Sequence, residues 1–340
     1  MKRLSLVLAV MMMAVPVAAW AFQADVVAPS GGERPVAFGV QLSGGMLNGK
    51  AKEHVFDNDV YPGERYQVSR LDWDIKNVAM AGFNASVRPI VRGKTIALPG
   101  GMTLNTLNGL TFNLGFWGAL TEGNGEMEDY DWLDTDSSRP THYSLSDVDV
   151  TEGTLVDLNV AWDFVTWKDL TGRMFLGYKQ NNWKWEDEVV YLLYPEDHGA
   201  RDYSLSGQNG INYEQEFQMP YLGAGFDFTP GNFTISYRLT YSPYLTASDK
   251  DHHVFRDLYF EEEFEGGDMI GFGLDARYTF SQKPIRGLYL SAAADYQKIG
   301  LIVGDMEFYD ASTGETGGGE DVAGVENEYF IVSLGVGYQF

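Results

Sequence analysis

Near the C-terminus every second residue is apolar: Phe330, Val332, Leu334, Val336, Tyr338 and Phe340 alternate with Ile331, Ser333, Gly335, Gly337 and Gln339. The same rhythm runs through 156–164 (Val156, Leu158, Val160, Trp162, Phe164) and 270–280 (Ile270, Phe272, Leu274, Ala276, Tyr278, Phe280), and returns at 233–241 and 288–296. A period of two predicts β-strands with one apolar face. A soluble sandwich would alternate in the same way. Three features favour a transmembrane barrel instead. The second face mixes Asp157, Asp163, Arg238, Asp275 and Arg277 with small residues, as a wet lumen would. Apolar strands begin or end in aromatics, as interfacial girdles require, and Phe340 closes an alternating strand. The expectation is an all-β, antiparallel transmembrane β-barrel.

Links between these strands alternate in length. Lys168–Gly172, Pro230–Asn232 and Ser281–Gly287 are short, which predicts periplasmic turns, and 91–107 with Pro99-Gly100-Gly101 reads as an enlarged one. Long polar stretches near 126–150, 191–208, 248–266 and 305–324 are expected to be extracellular loops. The composition agrees with a barrel, at 39 Gly, 20 Tyr, 20 Phe and 8 Trp. Lys2 and Arg3 lead an apolar stretch ending in Ala19-Trp20-Ala21, so residues 1–21 are expected to be a secretory signal peptide. Residues 22–35 then form an N-terminal segment, and 36–340 the barrel. No later stretch offers the ~18 consecutive apolar residues of a spanning helix.

Charge narrows the chemistry. With 48 acidic against 24 basic residues, the net charge is −24, which argues against nucleic acid and favours cationic partners. The chain has no cysteine, hence no disulfide and no thiol nucleophile. Two acidic motifs stand out, Asp129-Tyr130-Asp131-Trp132 and Asp249-Lys250-Asp251-His252-His253. In extended backbone, residues two apart share a face, so Asp129 converges with Asp131, and Asp251 with His253. Brought together, two carboxylates would face an Asp-oriented imidazole able to activate a water. Acidic runs in exposed loops are commonly just solvated surface, and an Asp/Glu/His cluster also suits a metal. By the same parity His252 is a bystander, and His54, His142 and His198 are expected at the surface. Parity counted from Phe233 need not carry through Pro243.

Several stretches resemble one family. Lys50-Ala51-Lys52-Glu53-His54-Val55, Met127 to Asp134 and Ala247 to His253 are similar to the loop signatures of the omptins, outer-membrane aspartyl proteases of Gram-negative bacteria. Leu71-Asp72-Trp73, Gln218 to Gly223 and Ala323 to Asn327 are similar to framework stretches of that family, in the same order. The resemblance implies a ten-stranded barrel projecting above the membrane, with a catalytic groove at its outer rim. It implies an endopeptidase that prefers sites between two basic residues, with Asp129 and Asp131 as the Asp pair and Asp251 and His253 as the dyad. Glu53 and Asp249 match the acids of the pocket for the residue before the scissile bond, the P1 side chain.

One region departs from the family. Omptins grip lipopolysaccharide through a basic cluster on the outer barrel surface. Tyr178 is kept, but Gln180 replaces an acid, and Asn182 and Glu216 replace arginines. No cofactor is expected, and the usual lipopolysaccharide site is not retained. The expected partners are cationic peptides or proteins and outer-membrane lipids, with the protein a monomer. The competing readings are a catalytically silent barrel acting as an adhesin or binding protein, and a passive pore.

Overall fold

A computed structural model describes residues 36–340 apart from 62, 90–94, 136 and 195–198. The expected signal peptide, the segment 22–35 and His198 lie outside the described residues. Among the described residues ten long strands form one ring. They are β1 (Val36–Tyr61), β2 (Glu64–Pro89), β3 (Leu110–Ala119 resuming as Gly125–Asp131), β4 (His142–Trp167) and β5 (Leu170–Leu193). Then follow β6 (Ile211–Phe228), β7 (Phe233–Ser242 and Leu245–His253), β8 (Leu258–Gly266 and Met269–Thr279), β9 (Leu288–Asp310) and β10 (Glu315–Gln339). Each pairs antiparallel with its neighbour in sequence, and β10 pairs with β1 from Gly39↔Gln339 to Val55↔Ala323, which closes the barrel. Closure leaves no free edge.

The alternation predicted the two faces correctly. Along β10, Phe330, Val332 and Leu334 are 44, 49 and 70 % exposed, whereas Tyr329, Ile331 and Ser333 are buried. The exposed apolar band continues through Phe112, Leu114, Leu176, Leu222, Leu239 and Phe272. Inside this band the lumen is polar and its charges are paired. Asp163 accepts from Arg173 at 2.5 Å and also pairs with Arg88; Arg173 reaches Asp227 at 2.9 Å; Arg238 sits between Asp157 and Asp295 at 3.5 and 3.3 Å. These residues line a cavity of about 750 Å³.

A strand of 26 residues is roughly 85 Å long at ~3.3 Å per residue, while a tilted span needs only ~9–11 residues, so the barrel projects far beyond the apolar band. The projecting half is filled with side chains. Trp73, Trp183, Trp185 and Tyr213 are all 1 % exposed or less, and Tyr213 stacks on Trp73 at 5.2 Å and on Trp185 at 5.6 Å, those two rings themselves being 6.2 Å apart. These rings belong to one buried cluster with Leu47, Leu71, Ile75 and Met127, so the projecting half is a packed core rather than an open channel.

The connections need one correction. The expected long loops at 126–150, 248–266 and 305–324 are largely strand, with gaps of only 132–141, 254–257 and 311–314 between paired strands. The ladder simply continues past the apolar band. Outside the membrane the outward face is polar, so the alternation that marks a strand fades while its hydrogen bonds do not. Both acidic motifs therefore lie on strands. At the other end, tight turns at 168–169, 229–232 and 280–287 match expectation. Ile96–Ala97 and Met102–Leu104 form a small hairpin that pairs with the Val165–Trp167 end of β4, which accounts for the described part of the enlarged turn.

Leu334 is a direct test of what surrounds the band. In water, Leu334→Arg would be nearly neutral; in lipid it should destabilise the barrel by about 2–4 kcal/mol. Urea unfolding of the refolded variant in vesicles measures this, and an unchanged midpoint would contradict a lipid-facing surface.

Candidate active site

A change of strand phase builds one wall of the site. In the lower part of β7, Thr240 and Ser242 point inward while Leu239 and Tyr241 face out. The strand breaks at Pro243-Tyr244, where Ser242 Oγ donates to the Tyr244 carbonyl at 2.7 Å. Beyond the break the odd residues point inward: Leu245, Ala247, Asp249 and Asp251 are all buried. A slip of one position reverses the face of every later side chain. Strand β8 changes phase likewise across Gly266 and Gly267, both at positive φ, so that Glu262 and Phe264 are buried above the break and Met269 below it.

Asp251 is 3 % exposed, and its Oδ2 lies 2.6 Å from Nε2 of His253. The ring of His253 stands edge-on to Phe260 at 5.5 Å. Its Nδ1 meets the guanidinium of Arg256, an exposed residue on the turn after the strand. His252 takes no part: it stacks on Tyr259 at 4.0 Å and approaches Asp257. Asp129 and Asp131 come from β3, whose upper segment is held between β2 and β4. Ser69 Oγ donates to Asp129 at 3.4 Å. Burial pushes the Asp129 carboxyl well up, and the charges of Asp131 and Asp251 push it further. Burial also raises Asp131, against the lowering effect of Ser69, His142, Arg256 and His253. Asp129 thus feels Asp251, and Asp131 feels His253, across more than a hundred residues of sequence. The structure brings the two motifs within electrostatic reach of each other.

The second predicted set also meets. Glu53 on β1 and Asp249 on β7 are each 3 % exposed. Tyr213 OH donates to Asp249 Oδ2 at 2.8 Å, Gln215 donates to Tyr213 at 2.8 Å, and Asn327 donates to Gln215 at 3.2 Å. Burial drives Asp249 up to about 7, resisted by hydrogen bonds from Glu262 and Tyr213. Glu53 is raised well above the carboxylate range, by burial first and then by Asp251, Asp249 and Asp129.

Sequence reading missed Glu262, Tyr213 and Arg256. The run Glu261-Glu262-Glu263 resembles solvated surface, and only the hairpin register sets Glu262 opposite Asp249. Two histidines need correcting. His54 is 6 % exposed rather than a surface residue: it bonds Glu326 at 2.9 Å and stacks on Phe56 at 5.8 Å, which together cover it. His142 is half-buried beside Thr141 and Tyr194, and pairs in register with Asp131 at the groove. Among the described residues no group of three or more His, Asp or Glu side chains is arranged to hold a metal ion.

Comparison with known proteins places this geometry. The chain matches the Omptin family model over residues 34–340. It is 29 % identical over 309 residues to a plasminogen activator of Yersinia pestis, covering 90 % of each chain. It is 25 % identical over 316 residues to the outer membrane protease OmpP of Escherichia coli, covering 90 % of this chain and 91 % of that one. The identity to the outer membrane protease IcsP of Shigella flexneri is 26 % over 317 residues, with the same coverage. The crystal structure of the outer membrane protease OmpT from Escherichia coli superposes with a TM-score of 0.77 at 22 % identity, covering 92 % of this chain and 99 % of that one. OmpP, IcsP and OmpT are outer membrane proteases, and this ten-stranded barrel is an outer-membrane protein that belongs to the omptin family.

Proposed function

We propose that the protein is an endopeptidase that cleaves peptides and proteins at basic, preferably dibasic, sites on the extracellular side. The observation that carries this reading is the convergence of the Asp251–His253 dyad with the Asp129–Asp131 pair at one groove. Asp251 Oδ2 lies 2.6 Å from Nε2 of His253, and that contact favours the tautomer protonated there and stabilises the imidazolium formed when the ring takes a proton. That leaves Nδ1 for the attacking water. Arg256 now occupies this nitrogen, and being exposed it can swing aside when water and substrate arrive. Asp129 and Asp131 repel each other, so the pair retains a proton to pass to the leaving amine while its remaining charge orients the water. Glu53 and Asp249 replace the hydration of a basic P1 side chain. The closed ring leaves no strand edge to pair with a second copy, in keeping with a monomer.

His253→Ala, and Asp129→Ala with Asp131→Ala, should each lower kcat on a quenched Arg-Arg peptide by ~10²–10⁴-fold while the barrel stays folded and heat-modifiable. A folded His253→Ala barrel cleaving at near wild-type rate would leave the binding-protein reading standing instead. Glu53→Gln keeps the pocket's shape and removes a carboxylate. It should lower the preference for Arg over norleucine at P1 by ~10–100-fold, equivalent to about 1.5–3 kcal/mol.

Lipopolysaccharide should activate the protein only weakly. Where the family has its basic cluster, Glu216 accepts from Gln180 and Gln218, both at 3.0 Å, and the nearby Lys184 is neutralised by Glu214 at 2.7 Å. Among the described residues, that surface offers phosphates no unpaired cation. Adding lipopolysaccharide to the purified, refolded protein should raise activity only slightly; strong saturable activation would mean that another surface binds it.

A further inference from the structure

We propose that Glu262 is a third acid of the pocket formed by Glu53 and Asp249, that it binds the guanidinium of an arginine side chain there, and that the arriving cation displaces a proton. This rests on the reading of that pocket as the P1 site, and extends it to a residue outside the motifs that suggested it.

The register fixes the position. Glu262 lies directly opposite Asp249 on the neighbouring strand, and such pairs share a face. The side chain is 2 % exposed, and apart from the carboxyl of Asp249 neither of its oxygens has a hydrogen-bond partner; Oε2 of Glu53 has none at all. Asp249 is also held by Tyr213. Buried carboxylates are costly and uncommon, and three around one space with no compensating cation indicate a place kept for one. The groups facing Glu262 are Asp249 and Asp251 from β7, Glu53 from β1 and Tyr213 from β6, and its register neighbour on β9 is the apolar Met306. No described lysine, arginine or histidine forms an ion pair with the three acids.

Carboxylates this close and this dry do not all ionise together. Burial, then Asp249 and Glu53, hold Glu262 well above its ordinary range. A cation reverses the balance and a proton leaves. Affinity for the cation should therefore rise with pH from the ordinary carboxylate range towards neutrality, and level off once the acids are ionised. Arginine suits the site better than lysine, since a planar fork of five N–H donors can serve several separate oxygens where an ammonium offers three.

The test uses the full-length barrel in detergent. Calorimetry with agmatine, a free guanidinium probe, at pH 7 in buffers of different ionisation enthalpy counts protons. Wild type should release about one proton per agmatine bound. In parallel, kcat/KM is measured on Arg and norleucine P1 peptides. Glu262→Gln should lower the Arg-to-norleucine ratio about ten-fold and cut the proton release, and Glu262→Asp should restore much of both. A wild-type ratio and wild-type proton release in Glu262→Gln, with the ratio lost in Glu53→Gln, would overturn the role of Glu262 alone. No Arg preference in wild type would overturn the P1 reading and this proposal together. Should Glu262→Gln fail to fold, the wild-type proton count and Glu262→Asp decide, and release of no proton overturns the proposal.

Discussion

The rim of this barrel depends on one constraint: a closed hydrogen-bonded ladder can hold like charges together that free loops would let drift apart. Glu53, Asp129, Asp131, Asp249 and Glu262 arrive from β1, β3, β7 and β8, and the carboxyl of each is pushed up chiefly by burial. Side chains on a mobile loop would relieve that crowding by moving into water. Here every strand carrying an acid is bonded on both sides, so the backbone cannot retreat. The residual tension is relieved by protons and, under the proposed function, by an incoming cation.

The cost of such a site is offset beneath it. Burying the rings of Trp73, Trp183, Trp185 and Tyr213, at ~150–250 Å² each and ~25 cal/mol per Å², stabilises by about 4–6 kcal/mol per ring as an upper figure. The same layer does chemical work. It supplies Tyr213 to anchor Asp249.

The barrel was legible in the sequence because lipid imposes a strict alternation on the outward face. The same signal failed where lipid ends, and so three strand pairs were expected to be loops. The proposed catalytic pairs could be read as pairs because residues two apart share a face in any extended segment. Their inward direction was not: it depends on the phase change at Pro243-Tyr244, and a shift of one residue leaves composition untouched. Glu262 was hidden for a related reason. Glu261, Glu262 and Glu263 are chemically alike, and only the pairing with β7 separates the buried middle acid from its exposed neighbours. His54 was misread because a histidine on the outer face becomes buried only when Glu326, 272 residues away, closes over it.

The charge of −24 belongs to two populations with different partners. In the lumen, Asp163, Asp227, Asp157 and Asp295 each have an arginine of this chain within ion-pair distance, so those acids are already satisfied. At the rim, Glu53, Asp249 and Glu262 have none, although Lys50 and Lys52 lie on the same strand as Glu53. The alternation of β1 explains this: the lysines point outward to Asp72, Asp74 and Glu326 while Glu53 points in. A strand pattern that keeps basic side chains out of the groove also keeps its acids unneutralised. Under the proposed function, cationic side chains of substrates would complete the charge balance of this site.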